Sequence, residues 1–439
     1  MRKAQAKGPR EGVSSVVDDS VVLQLRALWR RYEHHCMQID SCPSVVLKQD
    51  ILQQIDKQEH LKKITLSFQD CGASDAILPS LQPLLMAIRE ERYTHAQEFH
   101  IWSLSLKETD IVELMQLVPE QGVFLGSQAC CNSNQSFPCK QRNVCLVTSL
   151  TCLLLEKRGR TVYPFRSLEL LDCRLTEWSL ERLGRAAGIS YLTKLCLDYT
   201  RMGQEGLKGL LSGGLGTSQI CSLSLCYCGL GSWSGTLLAS LLTNSSVREL
   251  YINGNELQCV GAIELLRTVA DNSLKMAEVQ NRTTSITGET ELISQMPNMS
   301  PRKKKAKNKG KKKKKREKAK SGPGAAGGPW LEKLHMFDNS IDHSGKEGPN
   351  QLTRFLELLC ILVKFSSHLT ELDLGENHIG EDGGKVLLEA LRERKAAKLS
   401  PIKIQVSTRM STETFSAILK SAKELKSGKK RRKTKGKTK

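Results

Sequence analysis

One spacing recurs along this chain and constrains its fold more than any other feature: apolar residues at positions 1, 4, 6 and 11 of a short motif, with Asn, Cys or Thr at position 9. It is nearly exact in four consecutive copies. They are Phe165, Leu168, Leu170, Cys173, Leu175; Leu192, Leu195, Leu197, Thr200, Met202; Ile220, Leu223, Leu225, Cys228, Leu230; and Val247, Leu250, Ile252, Asn255, Leu257. Their starts lie 27, 28 and 27 residues apart. Two more stand nearer the C-terminus, Leu331, Leu334, Met336, Asn339, Ile341 and Leu369, Leu372, Leu374, Asn377, Ile379. Weaker copies read as Ile101, Leu104, Leu106, Thr109, Ile111 and as Leu61, Ile64, Leu66, with degenerate ones at Leu274 and at Leu399, Ile402, Ile404, for about ten units.

Each unit contains two periodicities. Positions 4 and 6 alternate, as in a short strand with one apolar face. A helical pattern follows, for example Ala262, Ile263, Leu265, Leu266 and Val269. One strand and one helix cannot bury those faces alone, so neighbouring units must stack. The polar ninth position turns the chain inward, where its side chain satisfies backbone groups. Helices occupy more room than strands, so the stack is expected to curve with the strands inside.

The spacing, the long unit and the glycines after the fifth apolar position (Gly203, Gly206, Gly231, Gly380) resemble the leucine-rich repeat superfamily, ribonuclease-inhibitor-like subtype. The resemblance extends over 61–425 with interruptions. It implies an α/β solenoid, a horseshoe with parallel strands on the concave face and helices on the convex face, which binds macromolecules, usually proteins, and catalyses nothing.

Around that array we expect a disordered 1–15, an N-terminal helical cap at 16–60, first repeats at 61–120 and a Cys-containing insertion at 121–164 ending in a helix from Val144 to Lys157. Central repeats then run over 165–296, a disordered Lys-rich insertion over 297–329, C-terminal repeats and a closing cap over 330–425, and a disordered basic tail over 426–439. The patches Val21, Val22, Leu25, Leu28, Trp29 and Leu47, Ile51, Leu52, Ile55 carry the N-terminal cap, which reads alternatively as a separate partner helix. Phe415, Ile418, Leu419 and Leu425 carry the closing helix.

Charge is concentrated in two segments. Residues 301–320 hold 14 Lys or Arg against Glu317, and 423–439 hold 10 against Glu424, out of 66 bases and 46 acids in the chain, so the remainder is about −2. Neither segment has an aromatic residue for base stacking, which argues against specific nucleic-acid recognition. Lys303, Lys304, Lys305, Lys311, Lys312 and Lys313, with Lys429, Lys430, Arg431, Arg432 and Lys433, suit an import receptor or non-specific polyanion contact instead. No apolar run is long enough to cross a bilayer and no signal peptide is recognisable, so a nuclear or cytoplasmic protein without membrane insertion is expected.

No catalytic set, cofactor or metal site is nominated. The 15 Cys are an odd number in a chain without an export signal, and Cys130, Cys131, Cys139, Cys145 and Cys152 lack the paired knuckles that hold zinc. Gly380 to Lys385 resembles a phosphate cradle, but Val386 stands where a hydroxyl is needed. His34 and His35 are expected to be surface residues.

The candidate site is the strand face. Positions 3, 5, 7 and 8 point to the concave side, where Tyr199 and Tyr227 occupy position 8 of adjacent repeats. Tyr251, His335 and Phe337 extend the row, Trp102 joins it from an earlier copy, and Glu169, Asp172, Asp198 and Asp373 are among the acids interspersed. Tyrosine offers contact area at low entropy cost and carboxylates steer, so a protein partner with exposed basic residues is expected. The leading reading is an intracellular scaffold or adaptor. Alternatives are a nucleic-acid or ribonucleoprotein-associated factor acting through its Lys runs, and a cytoskeletal or ciliary component whose basic segments hold acidic tubulin tails.

Overall fold

A computed structural model describes residues 19–67, 79–117, 163–292, 331–344 and 348–427, with the side chains of Asp19, 280–292 and 423–427 excepted. The Cys130 to Cys152 group, the expected Val144–Lys157 helix and both Lys-rich runs lie outside the described residues. Two compact units are distinguished, one comprising Met1–Leu175 with Ile189–Leu192 and the other Thr176–Gly188 with Thr193–Lys439.

In the first unit, helices α1 (Asp19–Gln38) and α2 (Val45–Lys57) precede β1 (Lys63–Ser67), α3 (Leu81–Glu90), β2 (Glu98–Trp102), α4 (Glu108–Met115) and β3 (Ser167–Leu171). Val21, Leu25, Leu28, Tyr32 and Cys36 recur at helical spacing on α1 and are buried, and α1 packs on α3. Ser44 starts α2 by accepting a hydrogen bond from the Leu47 amide at 3.3 Å, and its own amide donates to the Tyr32 hydroxyl at 3.1 Å. Tyr93 closes the turn before β1, accepting from the Leu61 amide at 2.7 Å and donating to the Leu61 carbonyl at 3.0 Å. Burial pushes both phenols well above the ordinary tyrosine range, so they remain donors. His34 is exposed as expected but His35 is buried, its Nδ1 3.0 Å from Gln38 Oε1 and its Nε2 3.1 Å from Glu90.

In the second unit, α5 (Glu177–Gly188) is followed by β4 (Lys194–Cys196), α6 (Gly203–Ser212), β5 (Ser222–Ser224), α7 (Ser234–Asn244), β6 (Glu249–Tyr251) and α8 (Gln258–Leu292). Then come β7 (Lys333–His335), α9 (Gly348–Phe365), β8 (Glu371–Leu374), α10 (Gly380–Ala396), β9 (Lys403–Val406) and α11 (Thr412–Ser427). Ile418 and Ala422 of α11 are buried, and this helix packs on α10 and β9.

Among the described residues the strands pair in parallel within each unit: β1 with β2 and β2 with β3 in the first, and each consecutive pair from β4 to β9 in the second. Leu195, Leu223, Leu250, Leu334, Leu372 and Ile404 stand in register and are 0–4% exposed, so the position-4 residues form one continuous core column. Full burial of such a side chain is worth about 1.5–3 kcal/mol. Since the neighbouring repeat supplies much of the cover, stability passes from repeat to repeat.

The ninth position builds a hydrogen-bonded column beneath the strands. Asn255 Oδ1 accepts from the Cys228 amide at 2.9 Å, while its Nδ2 donates to the Leu225 and Ile252 carbonyls at 2.7 and 3.0 Å. The Asn255 amide donates to Asn339 Oδ1 at 3.2 Å, and the Asn339 amide to Asn377 Oδ1 at 3.0 Å. Cys228 takes the same role with its thiol, donating to the Leu197 carbonyl at 3.1 Å. These side chains thereby give partners to main-chain groups of the inward turns.

Three repeat registers differ from the sequence expectation. Phe99 pairs with Leu168 and Ile101 with Leu170, so these two are positions 4 and 6 of the second repeat, and Leu104 and Leu106 are positions 9 and 11. An aromatic at position 4 and a leucine at position 9 shifted the apparent phase by five residues. Near the C-terminus Ile404 and Val406 pair with Leu372 and Leu374, two residues later than expected. Leu274 begins no repeat: it lies within α8, and β6 pairs directly with β7, so no strand of the sheet stands between the repeats that begin at Val247 and Leu331. The described residues thus hold nine strands rather than about ten.

Candidate functional site

The strands present one face to the helices and leave the other open. On that open face of the second unit, position 8 carries Tyr199, Tyr227, Gly254, Asp338 and Glu376, all with φ between 54° and 64°. This left-handed backbone closes the strand-to-turn transition. Glycine adopts it freely, whereas a bulky side chain there costs on the order of 1 kcal/mol. Two adjacent repeats nevertheless place tyrosine at it.

Their rings stack, with centroids 4.9 Å apart and planes 6° from parallel. Such a pair contributes about 0.5–1.5 kcal/mol beyond area burial, enough to offset much of the backbone cost. Gly254 seats the Tyr227 ring: a Cβ at that position would come within 2.1 Å of Tyr227 Cε1. Phe337 at position 7 is seated in the same way on Gly375, where a Cβ would stand 2.7 Å from its Cδ2. Tyr199 is 49% exposed.

Position 5 carries Tyr251 and His335, whose rings are 4.7 Å apart and tilted by 55°. His335 stands between two carboxylates, with Nε2 3.3 Å from Glu371 Oε1 and Nδ1 3.7 Å from Asp373 Oδ2. The Tyr251 hydroxyl donates to Glu249 Oε2 at 3.3 Å.

Most of the expected acids prove to be bound within the fold. Asp198 accepts from the Ser224 hydroxyl at 2.7 Å and the Cys226 amide at 2.8 Å, and Asp373, 8% exposed, accepts from the Gly375 amide at 2.9 Å. Position 3 alternates in sign, with Lys333 2.7 Å from Glu249 and Lys403 2.6 Å from Glu371. Burial, the largest single influence, pushes the Glu249 and Glu371 carboxyls up, but the hydrogen bonds and charge of these lysines, joined by Ser222 and Tyr251 at Glu249 and by His335 at Glu371, together outweigh it and hold both below the ordinary range. Asp338 and Glu376 are exposed, and they carry the negative potential this unit offers at position 8.

The first unit has its own cluster. Trp102 is at position 7, its indole donating to Glu169 Oε1 at 2.6 Å, with Lys63 Nζ 5.5 Å from the ring centroid. His100, 5% exposed, lies 3.3 Å from Glu98 and 3.5 Å from Glu169. Asp172 accepts from the Ser103 hydroxyl at 3.2 Å. A cleft of about 400 Å³ beside it is lined by Asp50, His60, Lys63, Thr65 and Trp102 among others. Burial raises the Asp50 carboxyl.

The thiols at Cys36, Cys173, Cys226, Cys259 and Cys360 are raised by burial to about 11 and Cys228 to about 12, so all six are protonated at neutral pH. Among the described residues no group of three or more His, Cys, Asp or Glu is arranged to hold a metal, and no helix is long and apolar enough to cross a membrane.

Residues 365–388 match a family model described as Leucine Rich repeat. The matched segment contains β8, the Asn377 turn and the first half of α10, which together form one structural repeat. The match and the parallel strand-helix array support a leucine-rich repeat protein. No curated protein matches this chain.

Proposed function

We propose that this chain is a non-catalytic scaffold or adaptor of the ribonuclease-inhibitor-like subtype, whose strands line the concave side of a horseshoe and bind a protein partner. Leucine-rich repeats generally mediate protein–protein contacts, which supports the class. The observation that carries the reading to this face is the Tyr199–Tyr227 stack. Two rings occupy backbone positions that favour glycine, and the outer one remains half open to solvent. Aromatic anchors of this kind dominate binding energy at protein interfaces. The Lys-rich segments serve nuclear import or polyanion contact, and the protein works in the nucleus or cytoplasm.

Affinity purification from cells tests this with full-length protein and a version lacking 301–320 and 426–439, both lysates treated with nuclease. Partners retained by both versions are expected. Partners lost with the basic segments or with nuclease would transfer recognition to those segments and sink the reading.

A further inference from the structure

We infer that the Tyr199–Tyr227 stack, the bare backbone at Gly229 and Gly231, and Trp233 form one track for an arginine-bearing extended segment of the protein partner. The inference rests on the protein-binding reading above. It adds the place on the molecule and the side chain recognised.

The repeat beginning at Ile220 turns from strand to helix over seven residues. Cys228 and Leu230 point into the core, leaving Tyr227, Gly229, Gly231, Ser232 and Trp233 to form the outer surface. No heavy atom lies within 4 Å of where a Cβ would stand on Gly229 or Gly231, so the strip between the two aromatics is an open floor of main chain. Trp233 is 77% exposed, more than any other large hydrophobic residue described. In the next repeat the equivalent residue is Val260, 45% exposed, and Gly261 beside it lies against Ser232, where a Cβ would meet the carbonyl oxygen at 2.6 Å. Close helix packing therefore widens the apolar end of the track.

The protein itself shows what a tryptophan at this repeat position accepts. Trp178 occupies the equivalent place, three residues after the fifth apolar position, and the guanidinium carbon of Arg182 stands 4.7 Å from its ring centroid. Four residues after Trp233 stands Leu237, not arginine. The partner's guanidinium supplies the missing layer.

Charge points the same way. Glu256 and Asp338 are exposed at positions 10 and 8 of the following repeats, against Arg201 at position 10 of the preceding one. Burial first, and then the Asp338 carboxylate, raises the Tyr227 phenol, which places that charge within electrostatic reach of the stack. A planar, weakly hydrated guanidinium stacks on aromatic faces better than an ammonium does. Phosphate would be repelled by the same carboxylates.

The test uses the full chain carrying fluorotyrosine or fluorotryptophan, observed by fluorine NMR. The probe is acetyl-Gly-Pro-Arg-Gly-Arg-Pro-Gly-amide, compared with its lysine twin. Resonances assigned through Tyr199→Phe, Tyr227→Phe and Trp233→Phe are expected to move with the arginine peptide and to saturate at about fivefold lower concentration than with the lysine peptide. Trp233→Ala and Tyr199→Ala, both exposed and checked for native circular dichroism, are each expected to weaken the probe by about fivefold. Equal response to the two peptides, shifts confined to Trp178, or preferential movement of these resonances by a short single-stranded oligonucleotide would overturn the inference. For a cellular partner, release by Tyr199→Ala plus Tyr227→Ala but not by Trp233→Ala would overturn the track and leave the face reading standing. Retention through all three substitutions would overturn both.

Discussion

Arg394 is completely buried, yet the hydrogen bonds it makes go to main-chain carbonyls. Its Nη1 donates to Val363 and Ser366 at 2.8 Å each, its Nη2 to Leu369 at 2.9 Å and its Nε to Ser400 at 2.8 Å. From α10 it thereby closes the C-terminal end of α9 and ties down the turns leading into β8 and β9. Burial pulls its pKa down to about 10, which leaves it a cation at neutral pH. Arg394→Met keeps the aliphatic stem but orphans four acceptors, three of them fully buried. Each buried acceptor left unpaired costs about 1–3 kcal/mol, against which stands relief of several kcal/mol from no longer burying a guanidinium. The carbonyl term wins, and a net loss of about 3–5 kcal/mol is expected, a large fraction of a typical domain stability of about 5–15 kcal/mol. Arg394→Lys, with a single ammonium in place of a planar fork, is expected to lose about half as much. Stability in a repeat array is local, so urea unfolding should be paired with amide exchange, and protection should fall first over 363–374 and 399–406. A Met variant with unchanged midpoint and unchanged exchange in those segments would refute the closure argument.

Three further outcomes are expected. Asn339→Ala breaks the ninth-position column, because Asn339 Oδ1 accepts from the Asn255 amide at 3.2 Å and Nδ2 donates to the Ile252 carbonyl at 2.9 Å. Urea unfolding should show a loss of about 2–3 kcal/mol, and Asn339→Cys a smaller one, since Cys228 already fills that position. Gly254→Val puts a branched side chain at φ 64° and into the Tyr227 ring, so near-ultraviolet dichroism from the tyrosine pair should fall while far-ultraviolet dichroism is retained. Glu381 accepts hydrogen bonds from the Ser411 amide at 2.7 Å and the Thr414 hydroxyl at 2.7 Å, which, with the Ser411 amide the largest contributor, hold its carboxyl down at about 2. Because the folded pKa is depressed, this anchoring of α11 is fully present above the ordinary glutamate range and is lost as pH falls toward about 2. Amide exchange at the start of α11 should therefore accelerate across that window in the native protein, and Glu381→Gln should flatten the dependence.

Period and polarity made β4 to β8 legible, because leucine at position 4, Leu, Ile or Met at position 6 and Asn, Cys or Thr at position 9 stand close together there. Phe99 and Leu104 hid the phase of β2, since an aromatic fills the position-4 space as well as leucine does and a leucine can replace the ninth-position donor in the interior. Tyr199 beside Tyr227 was readable from strand spacing alone. Gly254 and Gly375 as ring seats were not, although a glycine following an aromatic at the same position of the preceding repeat is a usable signal. In sequence the acids read as a steering field, but across the paired strands position 3 brings Glu249, Lys333, Glu371 and Lys403 side by side, where they alternate and neutralise one another. Arg394 left no sequence trace because a helical cation is ordinarily solvated, and only the convergence of three chain turns on one side chain buries it.

The central proposal is that the open strand face, rather than the basic runs, recognises the partner. For a partner recovered with the full chain, affinity should be measured at low and physiological salt for the native protein, for Tyr199→Ala plus Tyr227→Ala, and for the version lacking 301–320 and 426–439. Loss of about 2 kcal/mol or more, roughly thirtyfold in Kd, is expected from the tyrosine pair, with little change on removing the basic runs and a shallow salt dependence. Native affinity in the tyrosine variant, with binding that vanishes with the basic runs and falls steeply in salt, would contradict it.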